Sequence, residues 1–567
     1  MPYGEPFELL YRLPIPPEEG KYPGLSPSRR VEHGLLVERD VPVRMRDGVV
    51  LRVDVFRPEG QSDLPVLLTY SPYGKHARKG FHMLYPQGDE DRGFVDPGTE
   101  DVTVSHYTVW EGPDPLYWCG RGFAVVNADA RGSWGSEGTL TFHSPQEADD
   151  GFDLVEWAAG QPWSNGRVGM TGVSYLAWSQ WNVAATRPPH LYAINPWEGY
   201  SDPYRDISMH GGMRETRFRS WWIESTAYSR NRVEDVVEMC KQHPHFDAYW
   251  AARTPDLSKI EVPLYAVVDW GDHGIHTRGT IEGFKQASST EKWLEVHGRM
   301  KWPYYYRPES LARQLEFFTT FLKKPAGATL DWPPVTIEVR ESHFVGEVRD
   351  EKAWPLEATT WTPLYLDASS KGLRREAPPA ASVAYDSQDD GDHAEFTITF
   401  GEDTELTGTM SLQLWVESAS DDADLFVAIE KLDRDGRRVT FPLQSMFHDG
   451  PVALGWLRAS HRELDPGRST PGQPWHTHAR SLPLEVGVPT LVDIEIWPSS
   501  TLFRAGEGLV LRVKGTEFHT YPGVPAVIHH QEPLNVGPHT IHTGGDHPSR
   551  LLVPVIRDAA APTQPSR

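Results

Sequence analysis

Cysteine is nearly absent from this chain. Only Cys119 and Cys240 are present among 567 residues, far apart and without a CxxC pair, which excludes a disulfide scaffold and a thiolate zinc site. Both thiols are expected to be buried. Positive charge is also scarce: 55 Lys+Arg stand against 79 Asp+Glu, a net charge of −24, and such a surface repels a phosphate backbone or an anionic bilayer. Neither nucleic acid nor a membrane is an expected partner. Long apolar runs are missing too, since nowhere do the roughly 18 consecutive apolar residues of a membrane helix occur. The N-terminal "MPYGEPFELLYRLPIPPEEG" lacks the basic-then-apolar pattern of a leader. The cytoplasm is therefore the expected location, and a homo-oligomer remains compatible with the composition. What the chain does have in quantity is tryptophan, 21 residues, which suits large apolar contacts or a stacking pocket.

The length exceeds what one hydrophobic core supports, so two or three domains are expected. Six short, apolar, β-branched runs, "LPVLLTY" (64–70), "GFAVVNAD" (122–129), "GRVGMTG" (166–172), "LYAINPW" (191–197), "VPLYAVVDW" (262–270) and "KWLEVHG" (292–298), read as strands buried on both faces. Helical patterns lie between them. In "EADDGFDLVEWAAG", Ala148, Phe152, Val155 and Ala159 share one helical face. This alternation predicts a parallel α/β sheet. It breaks at 201–257, which is helical in pattern and reads as an inserted cap without strands. From residue 331 onward, segments such as "AEFTITF", "GTMSLQLWVES" and "EGLVLRVKG" alternate with period two between turn residues, predicting a β sandwich or jelly roll. The expected division is core 1–200, cap 201–257, core 258–330 and β domain 331–567, with "DAAAPTQPSR" a mobile polar tail.

Within the third helical connection lies "MTGVSYLAW". Ser174 follows a buried strand and precedes a helix, the place where an α/β-hydrolase holds its nucleophile on a tight turn. The motif Gly-x-Ser-x-Gly is incomplete, because Leu176 stands at its last position, and a serine there could equally cap the helix. The partners decide between these readings. In that fold an acid and a base follow the serine, each after a later strand, and here Asp272 follows "VPLYAVVDWG" and His297 ends "KWLEVH". The histidine would take the serine proton and the aspartate would orient the ring. Asp269 is a second acid in the same loop, and His273 and His276 are further bases.

The stretches "SPYGK", "VNADARGSWGSEG", "GMTGVSYLAWSQW" and "DWGDHGIHTRGTIEGF", with "DADLFVAIEKLDRDG" and "HTGGDHPSRLLVPV" in the last third, resemble the cocaine-esterase and X-Pro dipeptidyl-peptidase-like family of serine acyl hydrolases (CocE/NonD type) over about residues 40 to 557. The resemblance implies an α/β-hydrolase core, a C-terminal jelly roll and a turn reading Gly-x-Ser-Tyr-x-Gly, from which only Ala177 departs. It also implies an oxyanion hole made of the Tyr73 hydroxyl and the Tyr175 backbone N–H. At the histidine the family's "GPWxH"-like strand end is replaced by "EVHGRMKW".

Other features read more plainly. "HTHAR", "HH" and "HTGGDH" lack a zinc spacing, so no metal is expected. "DDAD" at 421 lacks a full calcium-ligand pattern and reads as a solvated turn. Arg131 is expected to tie loops together by ion pairing. The expected function is hydrolysis of an ester, amide or short-peptide substrate through an acyl-enzyme on Ser174, without cofactor. An X-Pro dipeptidyl-peptidase or α-amino acid ester hydrolase would need an acid to anchor a substrate amine, for which Glu198, Glu215 and Glu224 are candidates. A non-catalytic ligand binder on a hydrolase scaffold is the alternative of a different class.

Overall fold

The computed structural model describes residues 7–76 and 104–557; the Pro/Ala-rich tail falls outside the described residues. Three antiparallel strands, β1 (Ser28–Glu32), β2 (Leu35–Arg44) and β3 (Val50–Pro58), form one edge of the core sheet. The six apolar runs supply β4 (Leu64–Ser71), β5 (Ala124–Asp129), β6 (Ser164–Val173), β7 (Leu191–Trp197), β8 (Leu264–Asp269) and β9 (Lys292–His297). They pair in parallel in the spatial order β5-β4-β6-β7-β8-β9, and β3 joins β5 antiparallel. Along β4, Val66 and Leu68 enter one apolar cluster and Leu67 enters the cluster on the opposite face. Burial on both faces is why these strands read as continuous apolar runs. The chain reverses its direction of growth between β4 and β6, and ligands of open α/β sheets bind outside the carboxyl ends of strands at such a point.

The sheet continues further than the sequence pattern predicts. Two strands assigned by that pattern to the β domain, β10 (Val335–Ser342) and β11 (Val345–Glu351), extend it, β10 running parallel to β9. The core sheet thus takes in two strands from beyond residue 330. Strand period alone cannot tell which sheet a strand joins.

The helices that matter to the site are α1 (Pro145–Ala159), α2 (Tyr175–Ala185), α3 (Phe218–Thr226), α4 (Thr277–Gln286) and α5 (Lys301–Tyr306). Helix α1 begins with a reciprocal Ser144–Glu147 capping box and Pro145 in its first turn, two devices that satisfy and pre-organise a helix start. Its buried stripe runs through Ala148, Leu154, Val155 and Ala158, so Phe152 and Ala159 lie beside the buried face. Arg131 pairs bidentately with Asp150 of α1 at 2.6 and 2.7 Å and with Asp47 at 2.9 Å, tying the loop after β5 to its neighbours.

Segment 201–257 carries α3, helices Val236–Gln242 and Ala248–Ala251, and also strands. Met209–His210 pairs with Met213–Arg214, and Val233–Glu234 pairs with Tyr11–Arg12. Two-residue ladders are too short to leave a period-two pattern in the sequence.

In the C-terminal domain, β12 (Thr359–Asp367), β13 (Ala381–Asp386), β14 (Ala394–Thr399), β15 (Thr404–Ser418), β16 (Asp424–Leu432), β17 (Ala453–Arg458), β18 (Thr490–Phe503), β19 (Gly508–Lys514), β20 (Pro538–Thr543) and β21 (Arg550–Ile556) are almost entirely antiparallel. One sheet is built on β15, flanked by β18 on one side and by β20 and β21 on the other. A second runs β14-β19-β16-β17. Leu412, Leu414, Val427, Ile429, Leu511 and Val513 meet in the core between them. The "DDAD" stretch is a solvated bend only at its start, where Asp421 is exposed; Asp424 opens a strand and is buried against the Arg458 guanidinium at 2.7 and 2.8 Å. Both cysteines are buried thiols. No helix among the described residues is long and apolar enough to cross a membrane.

Candidate active site

Strand β6 ends at Val173 and α2 begins at Tyr175, leaving Ser174 alone on the turn with φ 61° and ψ −116°. A non-glycine residue there is strained, and such strain persists only where the surroundings hold it. They do so through backbone bonds: Ser174 N–H donates to Trp197 O at 3.0 Å, Val173 N–H to Glu111 O at 3.0 Å, and Ser174 O accepts from Ala177 and Trp178 at 2.9 Å each. The crowding explains the small residues. Gly172 has φ 141°, and a Cβ on it would stand 2.6 Å from Leu176 Cβ; one on Gly199 would stand 2.7 Å from the Ala177 methyl. Ala177 is thus accommodated by a glycine in the neighbouring loop. Although Ser174 occupies the N-cap position, its side chain makes no capping bond.

That side chain points to a histidine. Ser174 Oγ lies 3.1 Å from His276 Nε2, and His276 Nδ1 makes a short contact with Asp272 Oδ2. A carboxylate only accepts, so the contact places the ring proton on Nδ1 and leaves Nε2 free to accept the serine hydroxyl. Asp272 and His276 are four residues apart in the turn between β8 and α4, so one short segment supplies both acid and base. His276 is buried; burial drives its pKa down to about 4, with Asp272 opposing and Lys301 assisting. Burial alone would raise Asp272, yet the Lys301 ammonium and then His276 hold its carboxyl well below the usual range.

The structure does not bring His297 to the serine. Its ring stacks on Tyr304 at 3.6 Å, its Nδ1 accepts from Arg299 N–H at 3.2 Å and its Nε2 faces Glu198 at 3.4 Å. It ends β9 as the strand pattern predicts, but the side chain is spent on packing. The second acid and the second base of the loop after β8 are engaged as well: His273 accepts from Leu454 N–H at 2.9 Å and donates to Pro498 O at 3.2 Å. Asp269 accepts from Ser445 at 2.7 Å.

Tyr73 follows β4, the strand beside β6. Its hydroxyl lines the same cavity as Ser174 and accepts from Trp222 Nε1 of α3 at 3.4 Å. Tyr175 is the first residue of α2, where the backbone N–H has no intrahelical partner. Its ring is fixed separately by a bond from its hydroxyl to Glu147 at 2.7 Å.

Ser174, His276 and Tyr73 open into a cavity of about 280 Å³ whose walls include Trp110, Trp134, Trp221, Trp222 and Trp302, with Gln444 and Met446 from the C-terminal domain. Two charged residues that sequence reasoning missed also line it. Glu111, at φ 64°, accepts from Trp302 Nε1 at 3.0 Å through one oxygen, while the other is buried without a partner among the described residues. Burial lifts its pKa to about 7, against the pull of Lys301. Lys301 opens α5 and donates to Asp272 Oδ2 at 2.8 Å. The only trace of Lys301 in the sequence is a lone lysine inside the aromatic run "MKWPYYY".

The candidate amine anchors fall elsewhere. Glu215 spends its carboxylate on the N–H groups of Arg217, Phe218 and Arg219, each at 2.8 Å, and on His529, capping the orphan donors of α3. Glu198 is buried behind Asp269, and Glu224 is exposed. Donor atoms of Glu198, Asp272 and His276 lie within 4.8 Å of one another, as do those of Asp40, Asp54 and His76. Each group already contains an ammonium, Lys301 in the first and Lys75 in the second, 2.9 Å from Asp54.

A serine on a strained strand-to-helix turn, facing a histidine backed by a carboxylate at the switch point of a parallel sheet, defines a serine hydrolase built on an α/β-hydrolase core. The family model for X-Pro dipeptidyl-peptidase (S15 family) matches residues 47–236, and that for the X-Pro dipeptidyl-peptidase C-terminal non-catalytic domain matches residues 328–552. A CocE/NonD family hydrolase from Staphylococcus aureus is 40% identical, with a TM-score of 0.87, over 94% of this chain and 99% of that one. The chain belongs to the CocE/NonD hydrolase family. Cocaine esterase from a Rhodococcus species is 24% identical over 93% of this chain and the whole of its own. An α-amino acid ester hydrolase shares the fold, with a TM-score of 0.71 at 18% identity over 94% of this chain and 98% of that one.

Proposed function

We propose that this protein hydrolyses ester or amide bonds of small to medium acyl substrates through a covalent acyl-enzyme on Ser174, with no cofactor. The observation that carries the reading is the Ser174–His276–Asp272 relay at the mouth of an aromatic-walled cavity. Ser174 Oγ attacks the acyl carbonyl as its proton passes to His276 Nε2, while Asp272 keeps the ring oriented and stabilises the imidazolium. The Tyr73 hydroxyl and the Tyr175 N–H bind the oxyanion. Collapse expels the alcohol or amine, which takes the proton from His276; water then repeats the sequence to release the acid.

The largely antiparallel sheet pair of the C-terminal domain supports a jelly roll. The match of the C-terminal domain model from residue 328 supports a core of 1–200 and 258–330, interrupted by the cap at 201–257. Glu111 favours a second, narrower reading: a buried carboxyl in the cavity with one oxygen lacking a partner among the described residues could hold a substrate's ammonium, as an aminoacyl ester or X-Pro peptide requires.

Fluorophosphonate labelling followed by peptide mapping tests the mechanism. Label on Ser174, lost in a folded Ser174→Ala variant together with p-nitrophenyl ester hydrolysis, is the expected result. Hydrolysis by Ser174→Ala within tenfold of the wild type removes Ser174, and an unlabelled, inactive wild type favours a ligand-binding protein. Faster turnover of free aminoacyl esters than of their N-acetyl forms, abolished by Glu111→Gln, selects the narrower reading.

A further inference from the structure

Lys301 is a buried cation among buried acids. Its ammonium donates to Asp272 Oδ2 at 2.8 Å and stands 3.3 Å from His276 Nδ1, so that one carboxylate oxygen receives both the lysine and the ring. Burying an ammonium is costly unless it is paired. The acidic groups facing it come from separate elements: Glu111 before β5, Glu198 after β7, and Asp269 and Asp272 at the end of β8 and in the turn beyond. His276 comes from that turn, Tyr73 from the loop after β4, and the neutral Ser445 from the C-terminal domain accepts from the Lys301 N–H at 3.2 Å.

Four buried carboxyls around one cation cannot all hold a negative charge, because like charges in a water-poor site raise one another's pKa. The direct bond from Lys301 determines which one does. Asp272 is pulled down, whereas burial first and neighbouring carboxylates second push Glu198 up and Asp269 to about 7. Without the ammonium, Asp272 would be one of four competing acids, and His276 would lose its orienting anion.

We propose that Lys301 is a positioning residue of the hydrolytic relay: its ammonium selects Asp272 as the ionised carboxyl, clamps it toward His276, and sets the pH at which the Asp272–His276 pair takes up an inactivating proton. The sign follows from charge alone. The active pair lacks that proton, so activity falls as pH drops through the pair's apparent pKa. A neighbouring cation resists protonation and keeps this limb low; removing the cation moves it up, whichever partner receives the proton.

The inference rests on the serine relay, so the test runs Ser174→Ala alongside. In the full-length protein, Lys301→Met should shift the acid limb of kcat/KM upward by about one to three pH units. It should lower kcat by about tenfold to a hundredfold through misorientation, with a much smaller change in KM. Lys301→Arg, which keeps the charge, should hold the limb near its wild-type position. A folded Lys301→Met with the wild-type limb and kcat, beside an inactive Ser174→Ala, overturns the inference and leaves the relay standing. An active Ser174→Ala overturns both. If Lys301→Met does not fold, the wild type decides. Its acid limb should lie below the ordinary imidazole value of 6.5, and a limb at or above that value overturns the inference without any variant.

Discussion

The choice between two histidines offers the sharpest perturbation. His276 is the acceptor 3.1 Å from Ser174 Oγ, and the other polar groups around the serine cannot replace it. Tyr73 is driven well above the usual phenol range by burial and then by Glu111, so its hydroxyl stays protonated. Lys301 has no acceptor. His276→Ala therefore leaves the nucleophile without a base, and the remaining rate comes from the oxyanion donors and binding alone. Loss of a triad member costs about 10⁴-fold in kcat or more, or roughly 5 kcal/mol of barrier. Adding Ser174→Ala should cost little further, because groups acting as one unit are far from additive. His297→Phe keeps a ring to stack on Tyr304 and removes the acceptor for Arg299 N–H, 3.2 Å away, a bond worth about 1 kcal/mol of stability. Its turnover should stay within about tenfold of the wild type. Steady-state hydrolysis of p-nitrophenyl esters, with fluorophosphonate labelling rates as a second readout, measures all four proteins. A His276→Ala enzyme near wild-type rate, with His297→Phe inactive, would refute the assignment and return the base to the end of β9.

Two further outcomes can be stated briefly. Tyr73→Phe deletes one oxygen and keeps the ring, so kcat should fall about 10²-fold to 10³-fold with little change in substrate binding, since the oxyanion exists only in the transition state; a normal kcat returns Tyr73 to a packing role. Gly199→Ala places a methyl 2.7 Å from Ala177 Cβ and should destabilise the fold by about 1–3 kcal/mol, read as a lowered unfolding midpoint, whereas an unchanged midpoint would mean that α2 can shift away from β7 freely.

Much of this molecule is local in origin. A buried parallel strand needs a short apolar run, and a tight turn into a helix needs small neighbours. Gly172, Ser174 and Ala177 therefore announce the tight strand-to-helix turn at Ser174, and the six runs announce the sheet, from adjacent residues alone. The order of serine before acid is likewise readable, since each follows its own strand. Other features depend on residues distant in the chain. Whether Val335–Ser342 pairs with β9 or with the C-terminal sheets is settled by edge contacts that no period encodes. Glu111 and Lys301 enter the cavity from loops with no motif, and only burial against Trp302 and Asp272 gives them a chemical role. The histidine that faces Ser174 is the hardest feature to read from sequence. His273, His276 and His297 all follow β8 or end β9, and each is a plausible partner by spacing. Only the packing of the turn before α4 decides which imidazole meets a serine 102 positions earlier, because a hydrogen bond of 3.1 Å depends on side-chain direction, which sequence order does not specify.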